Sequence, residues 1–199
     1  MKKYFIFLLF KPSSAHLFLI QEYDYYRLLI KKEGVYMVKF YKFQGIVTNI
    51  SDFQTSLNNE ENGCYKTFTV QDNSGAIVHF VVAPSTYFID HLVVQPGEQI
   101  TGFYDGNAPV PLIYPPRYQA ISIVKDLPYQ NVKADYFNSQ LVSSDGTLKL
   151  NIAPNTHIIL KNDQPYNGSL INRNLIVLYG VSTKSIPAQT TPTKIIVWC

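Results

Sequence analysis

The stretch from Val70 to Asp105, VQDNSGAIVHFVVAPSTYFIDHLVVQPGEQITGFYD, constrains this chain more than any other, because a weaker copy of it follows in the second half. Ser144, Asp145 and Gly146 repeat the turn at 72–75, Leu148 to Ile152 repeat the strand after it, and AlaProAsnThr at 153–156 repeats AlaProSerThr at 83–86. Gly75 and Gly146 are 71 positions apart and Pro84 and Pro154 are 70 apart, so one gap aligns the copies. Further on, ITGFY at 100–104 matches LIVLY at 175–179, and a proline-bearing loop then leads to ISIV at 121–124 or IIV at 195–197. A fixed period defines the folding unit before local propensity is weighed, and here that unit is about seventy residues.

Each copy reads as strands. Asp72, Asn73, Ser74 and Gly75 lie between two apolar, β-branched runs and supply residues that tolerate left-handed dihedrals, which predicts a hairpin. Alternation puts Ile77, His79 and Val81 on one face of the next strand and Val78, Phe80 and Val82 on the other, so both faces are largely apolar. A barrel wall that is also covered from outside has this pattern. With 15 Tyr and 12 Phe, and no sustained 3.6-residue apolar stripe after residue 40, the fold class is all-β.

In the first copy, strands are expected over 43–50, 64–71, 75–83, 99–105 and 119–125, with Gly45 marking a bulge or bend. Ser85 could cap a short helix, but the copy tips residues 85–91 to strand. In the second copy, strands are expected over 132–141, 148–152, 156–161, 175–180 and 194–198. The GxVxxI opening at 45–50, the VxDxxGxIxxF hairpin at 70–80 and the PGExIxGFY strand at 96–104 together resemble OB-type and related small Greek-key barrels. The resemblance implies two tandem OB-like, Greek-key β-barrels of about six strands each, the first over 38–127 and a degenerate second over 128–199. A connection as short as 127–130 implies that the barrels share an interface.

The candidate site is the loop NAPVPLIYPPRY at 107–118. Pro109, Pro111, Pro115 and Pro116 remove four donors and stiffen the backbone, while Val110, Leu112, Ile113 and Tyr114 are apolar. Apolar residues mostly serve cores, which makes the loop a lid across the barrel end. Read as an exposed ridge, it is a contact site for a partner or for self-assembly. The second copy, at 183–192, has hydroxyls where the first has these apolar side chains, which gives Leu112, Ile113 and Tyr114 a local purpose. Pro109, Val110, Pro111, Leu112, Ile113, Tyr114, Arg117 and Tyr118 are the expected partner-binding residues.

Charge limits the choice of partner. Of 17 Lys and Arg and 14 Asp and Glu, residues 1–36 hold six and three, which leaves eleven of each in the remainder. A neutral globular part removes the usual electrostatic argument for a polyanion, so nucleic acid is disfavoured although Phe103, Tyr104, Tyr114 and Tyr118 could stack on bases. Residues 1–36 allow three readings. MKKYFIFLLF resembles the start of a secretory signal, interrupted by Lys11. Lys32 to Met37 can be encoded by AAA GAA GGA GTA TAT ATG, a ribosome-binding site before a start codon at Met37, which makes the segment an untranslated leader. The third reading is a structured extension. Location, cytoplasmic or at a spore or cell surface, follows from that choice. No 18-residue uncharged apolar run exists, so no membrane-spanning helix is expected.

Nothing in the chain spells a catalytic or metal motif. His16, His79, His91 and His157 show no HxH, HExxH or CxxC spacing, and His79 reads as a hydrogen-bonded wall residue. Cys64 and Cys199 lack a nucleophile signature; Cys199 is available for an intermolecular disulfide, or both are free thiols. Asp72, Asp90, Asp105, Asp126 and Asp145 fall at strand ends and turns, where carboxylates bond backbone amides. No enzyme activity and no cofactor are expected.

The segments APVPLIYPP and SIPAQTTP resemble a family of small proteins from low-GC, spore-forming, clostridial-type bacteria, over residues 37–199, and MVKFYKFQGIVTNI is similar to the starts of clostridial spore-coat proteins. The expectation is a non-enzymatic structural or interaction protein of a spore coat or envelope layer. The alternative is an OB-type barrel that binds single-stranded nucleic acid or glycan.

Overall fold

A computed structural model describes residues 38–53 and 63–199. The readings of residues 1–36, and most of the polar loop at 51–63, lie outside the described residues. The fold is all-β. In the first half the strands are β1 (Phe40–Asp52), β2 (Lys66–Gln71), β3 (Ile77–Val82), β4 (Tyr87–Phe88), β5 (Gln99–Asp105) and β6 (Arg117–Lys125). Strand β1 pairs antiparallel with β2 and β5, β2 with β3 and β5 with β6, while β3 and β6 pair in parallel. The hydrogen-bonded pairs therefore return to their starting strand and enclose an interior of Val47, Phe68, Val70, Val78, Phe80, Ile100 and Ile123.

Local chemistry explains the tight places. Oδ1 of Asp72 accepts the backbone amides of Ser74 and Ala76 at 2.8 and 2.9 Å, and Gly75 at φ 87° completes the hairpin between β2 and β3. Hydrogen bonds from the Ser74 side chain and from these amides hold the Asp72 carboxyl below its ordinary value. Gly102 lies under Phe80, where a Cβ would come within 2.5 Å of the ring. Only glycine lets that phenyl group fill the interior. Of the bulge or bend expected at Gly45, the bulge lies two residues on, where the register shifts between Val47 and Asn49; Gly45 is needed because a Cβ would sit 2.3 Å from the Gln71 carbonyl oxygen.

In the second half, β7 (Asn131–Phe137), β10 (Arg173–Tyr179), β12 (Lys194–Trp198) and β9 (His157–Leu160) form a sheet in that order, and β8 (Leu148–Leu150) pairs in parallel with β11 (Ala188–Thr190). Its interior is Phe137, Leu148, Leu150, Leu175, Val177, Ile195 and Val197. Two short segments, one in each half, make the same hydrogen bonds. The Thr86 hydroxyl donates to the Ala120 carbonyl and accepts the Ala83 amide; the Thr156 hydroxyl donates to the Pro192 carbonyl and accepts the Ala153 amide. From there β4 runs parallel to β6, and β9 parallel to β12.

The strand expected over 85–91 stops after two residues. A single 3-10 turn, Ile89–His91, replaces the rest, with Asp90 and His91 at φ 61° and 51°. Ile89 is buried in a third apolar layer, where Tyr87, Phe103 and Val124 of the first half meet Ala134, Ile176, Leu178 and Ile196 of the second. Asp90 pairs with Lys194, and His91 Nε2 lies 2.8 Å from Asp163, so the turn is pinned from both sides. Among the aspartates read as turn residues, Asp90 is the one whose role is this bridge.

Among the described residues β7 pairs along its length with β10, meets Ser143 through a single bridge at Phe137, and has polar side chains along its outer edge. Asp135 accepts the Tyr136 amide and the Ser144 hydroxyl, and Lys133 lies 2.5 Å from Asp145 and 3.6 Å from Asp135. Burial pushes the Asp145 carboxyl up, but hydrogen bonds from Lys133, Ser143 and Thr147 outweigh it and hold the group well below the usual carboxylate range. Charges set along an edge strand block its pairing with another chain.

The middle layer gives a direct test. Phe103→Ala, at a side chain 2% exposed, is expected to cost about 3–4 kcal/mol and to lower one shared unfolding transition. Urea unfolding followed by far-UV dichroism and by Trp198 fluorescence checks this, and two separate transitions would contradict a shared core.

Candidate interaction loop

The loop between β5 and β6 is held at both ends and bare in between. At its start, Oδ1 of Asp105 accepts the backbone amides of Lys39 and Asn107 at 3.1 and 2.9 Å, and the Gly106 amide donates to the Lys39 carbonyl at 2.7 Å. The Tyr41 ring lies over Gly106, where a Cβ would approach it to 2.6 Å. At its end, the His79 amide donates to the Pro116 carbonyl at 2.9 Å. Proline fixes φ at four positions between these anchors, so backbone freedom is small without any regular secondary structure.

Six of the expected site residues, Pro109, Val110, Pro111, Leu112, Ile113 and Tyr114, are exposed. Leu112 is 102% exposed and Tyr114 85%. A lid would bury these side chains, and they are not buried. Burying an apolar side chain of this size yields roughly 1.5–3 kcal/mol, which the loop forgoes at its tip.

The other two expected residues are drawn back to the body of the protein. Tyr118 stacks on Tyr104 with ring centroids 4.0 Å apart and packs against Phe80. Burial and the nearby Tyr118 push the Tyr104 phenol up to about 12. The aromatics considered for base stacking are thus dispersed: Phe103 lies in the middle layer, Tyr104 and Tyr118 cover each other, and Tyr114 is exposed at the loop's tip. Arg117 lies over the Phe53 ring at 5.1 Å, its Nε buried with no hydrogen-bond partner among the described residues.

Strand register places Arg117 in a row that the sequence did not single out. Asn49 pairs with Thr69, Thr69 with His79 and His79 with Arg117, so four hydrogen-bonding side chains lie abreast across β1, β2, β3 and β6. The Thr69 hydroxyl is 3.1 Å from His79 Nδ1. Burial holds the His79 imidazole below its ordinary value, and the charge of Arg117 lowers it further. Alternation along β2 and β3 was the available signal; the parallel partner β6 was not.

In the second half the stretch expected as a loop over 183–192 contains strand β11, and the part before it is closed by its own hydroxyls. Thr183 Oγ1 accepts the Gln189 amide, and Ser185 donates to the Pro187 carbonyl. Ile186 is exposed there. Both loops contain a cis X-Pro bond, Tyr114-Pro115 and Ile186-Pro187. Among the described residues no three His, Cys, Asp or Glu side chains gather as a metal site, Cys64 and Cys199 are exposed free thiols, and no helix is long and apolar enough to cross a membrane. Comparison with family models, with curated proteins and with solved structures gave no match.

The row at His79 makes a pH test. A base whose pKa is lowered on folding binds fewer protons folded than unfolded, so its contribution to stability is present above its ordinary value near 6.5 and is lost as pH falls below it. His79→Gln is expected to flatten the decline of the urea midpoint between about pH 7 and pH 5; an unchanged slope would place the decline elsewhere.

Proposed function

We propose that residues 38–199 form a non-enzymatic structural or interaction protein, built from two OB-like Greek-key barrels in tandem, that binds a protein partner or further copies of itself through the loop at 107–118. One observation carries the reading: a proline-stiffened loop, anchored by Asp105 and His79, holds Leu112 and Tyr114 in solvent. Rigid exposed apolar side chains lose little entropy on contact, which is what a docking element requires. What supports the tandem barrels is the closed set of pairs in the first half and the repeated threonine hydrogen bonds at 86 and 156. The setting we propose, a spore coat or envelope layer, rests on the likeness of residues 37–50 alone; an intermolecular disulfide through the exposed Cys199 would suit it.

A second reading, an OB-type barrel for glycan or single-stranded nucleic acid, is favoured by the row Asn49, Thr69, His79 and Arg117. Filter binding of oligonucleotides at low salt addresses the nucleic-acid part, and no retention discards it.

The loop makes the main test. Replacing Leu112, Ile113 and Tyr114 together by Ser should leave the melting temperature within about 2 °C, because exposed positions contribute little to stability. The same variant should abolish concentration-dependent association in sedimentation velocity. Loss of folding instead would show the loop to be a lid, and identical sedimentation of both proteins would remove it as the self-association site.

A further inference from the structure

Away from the loop, a groove of about 440 Å³ lies where the two halves meet, lined by Pro84, Ser85, Tyr87, Phe88, Leu92 and Lys161 among others. Its volume falls in the range of about 300–1,000 Å³ typical of small-molecule sites, which favour such junctions. One wall follows β4 and the 3-10 turn of the first half; Lys161, next after β9, comes from the second. The wall is held in place by Ile89 in the middle layer and by the Asp90 to Lys194 and His91 to Asp163 pairs.

Each of the polar side chains that line this groove without a partner among the described residues carries a donor. Lys161 makes no ion pair among the described residues; its Nζ lies 4.2 Å from the centroid of the Trp198 ring, which in turn meets Phe40 edge-on. The Ser85 hydroxyl makes no hydrogen bond among the described residues, while Thr86, beside it, is already fully engaged. Burial, with Asp163 and Asp90 nearby, pushes the Tyr87 phenol up to about 12, so it stays a donor. Asp163 and Asp90, the carboxylates near Tyr87, already pair with His91 and Lys194. Phe88, Leu92 and Pro84 supply an apolar floor.

We propose that this groove binds a small organic anion with a flat apolar body, the anionic group on Lys161 and Ser85 and the body on Phe88 and Leu92. Charge-assisted hydrogen bonds fix the anion, and the apolar floor selects against inorganic ions. The site is independent of the loop at 107–118.

Trp198, the chain's single tryptophan, reports on it. Full-length protein is titrated with anilinonaphthalene sulfonate, with binding followed by quenching of Trp198 and by calorimetry. Saturable binding is expected, weakened about tenfold or more by Lys161→Gln, retained by Lys161→Arg and unaffected by the triple Ser variant of the loop. Leu92→Glu, at a half-exposed position, should weaken it as well, and stands in if Lys161→Gln fails to fold. Absence of saturable binding, equal affinity in Lys161→Gln, or loss confined to the loop variant would overturn the proposal.

Discussion

The structure depends on one apolar contact, the layer in which Phe103 and Val124 of the first half meet Ile176, Leu178 and Ile196 of the second. Strands β5 and β6 have an inner face that closes the first interior and an outer face that would otherwise meet water. The second sheet faces the same problem, because β10 and β12 direct Leu175, Val177, Ile195 and Val197 one way and Ile176, Leu178 and Ile196 the other. Three stacked apolar layers solve both at once. This is why the central strands read as unbroken apolar runs rather than as alternating ones.

The same contact makes the rest of the molecule a scaffold. Its turn at Ile89 carries Asp90 and His91 across the junction to Lys194 and Asp163, beside the groove that Lys161 helps to line. At the far end of β5, Asp105 starts a loop whose backbone needs no contact with the core to keep its form, since proline supplies the stiffness. Exposure of Leu112 is therefore compatible with a well-defined shape.

Much of this was legible in the amino acids, and the reasons for the gaps are physical. Hairpin chemistry is local, so Asp72 and Gly75 gave the β2 to β3 turn correctly; most strand positions agree, but the strand expected over 132–141 ends at Phe137, and β11 lies inside the stretch expected as a loop because its parallel partner β8 is about forty residues away. The strand over 85–91 failed because its left-handed residues, Asp90 and His91, answer to partners more than seventy positions away. A glycine at 45 suits a bulge or a bend, and its constraint in the fold is the Gln71 carbonyl on the next strand. The loop at 107–118 was recognisable as stiff and apolar, but lid and ridge differ only in burial. Burial is not written in a loop. Arg117 and Tyr118 were grouped with it by proximity in sequence, whereas β6 had already begun and turned them toward Phe53 and Tyr104.

The parallel pair between β3 and β6 carries a consequence for biosynthesis. His79 cannot meet Arg117, nor Phe80 meet Tyr118, until nearly forty further residues have been made. A nascent chain that has emerged only as far as β5 therefore displays the open edge of β3 on the ribosome, with Phe80 lacking Tyr118. A translational pause before residue 117 would prolong that vulnerable stage, and protection by a ribosome-associated chaperone would matter most there.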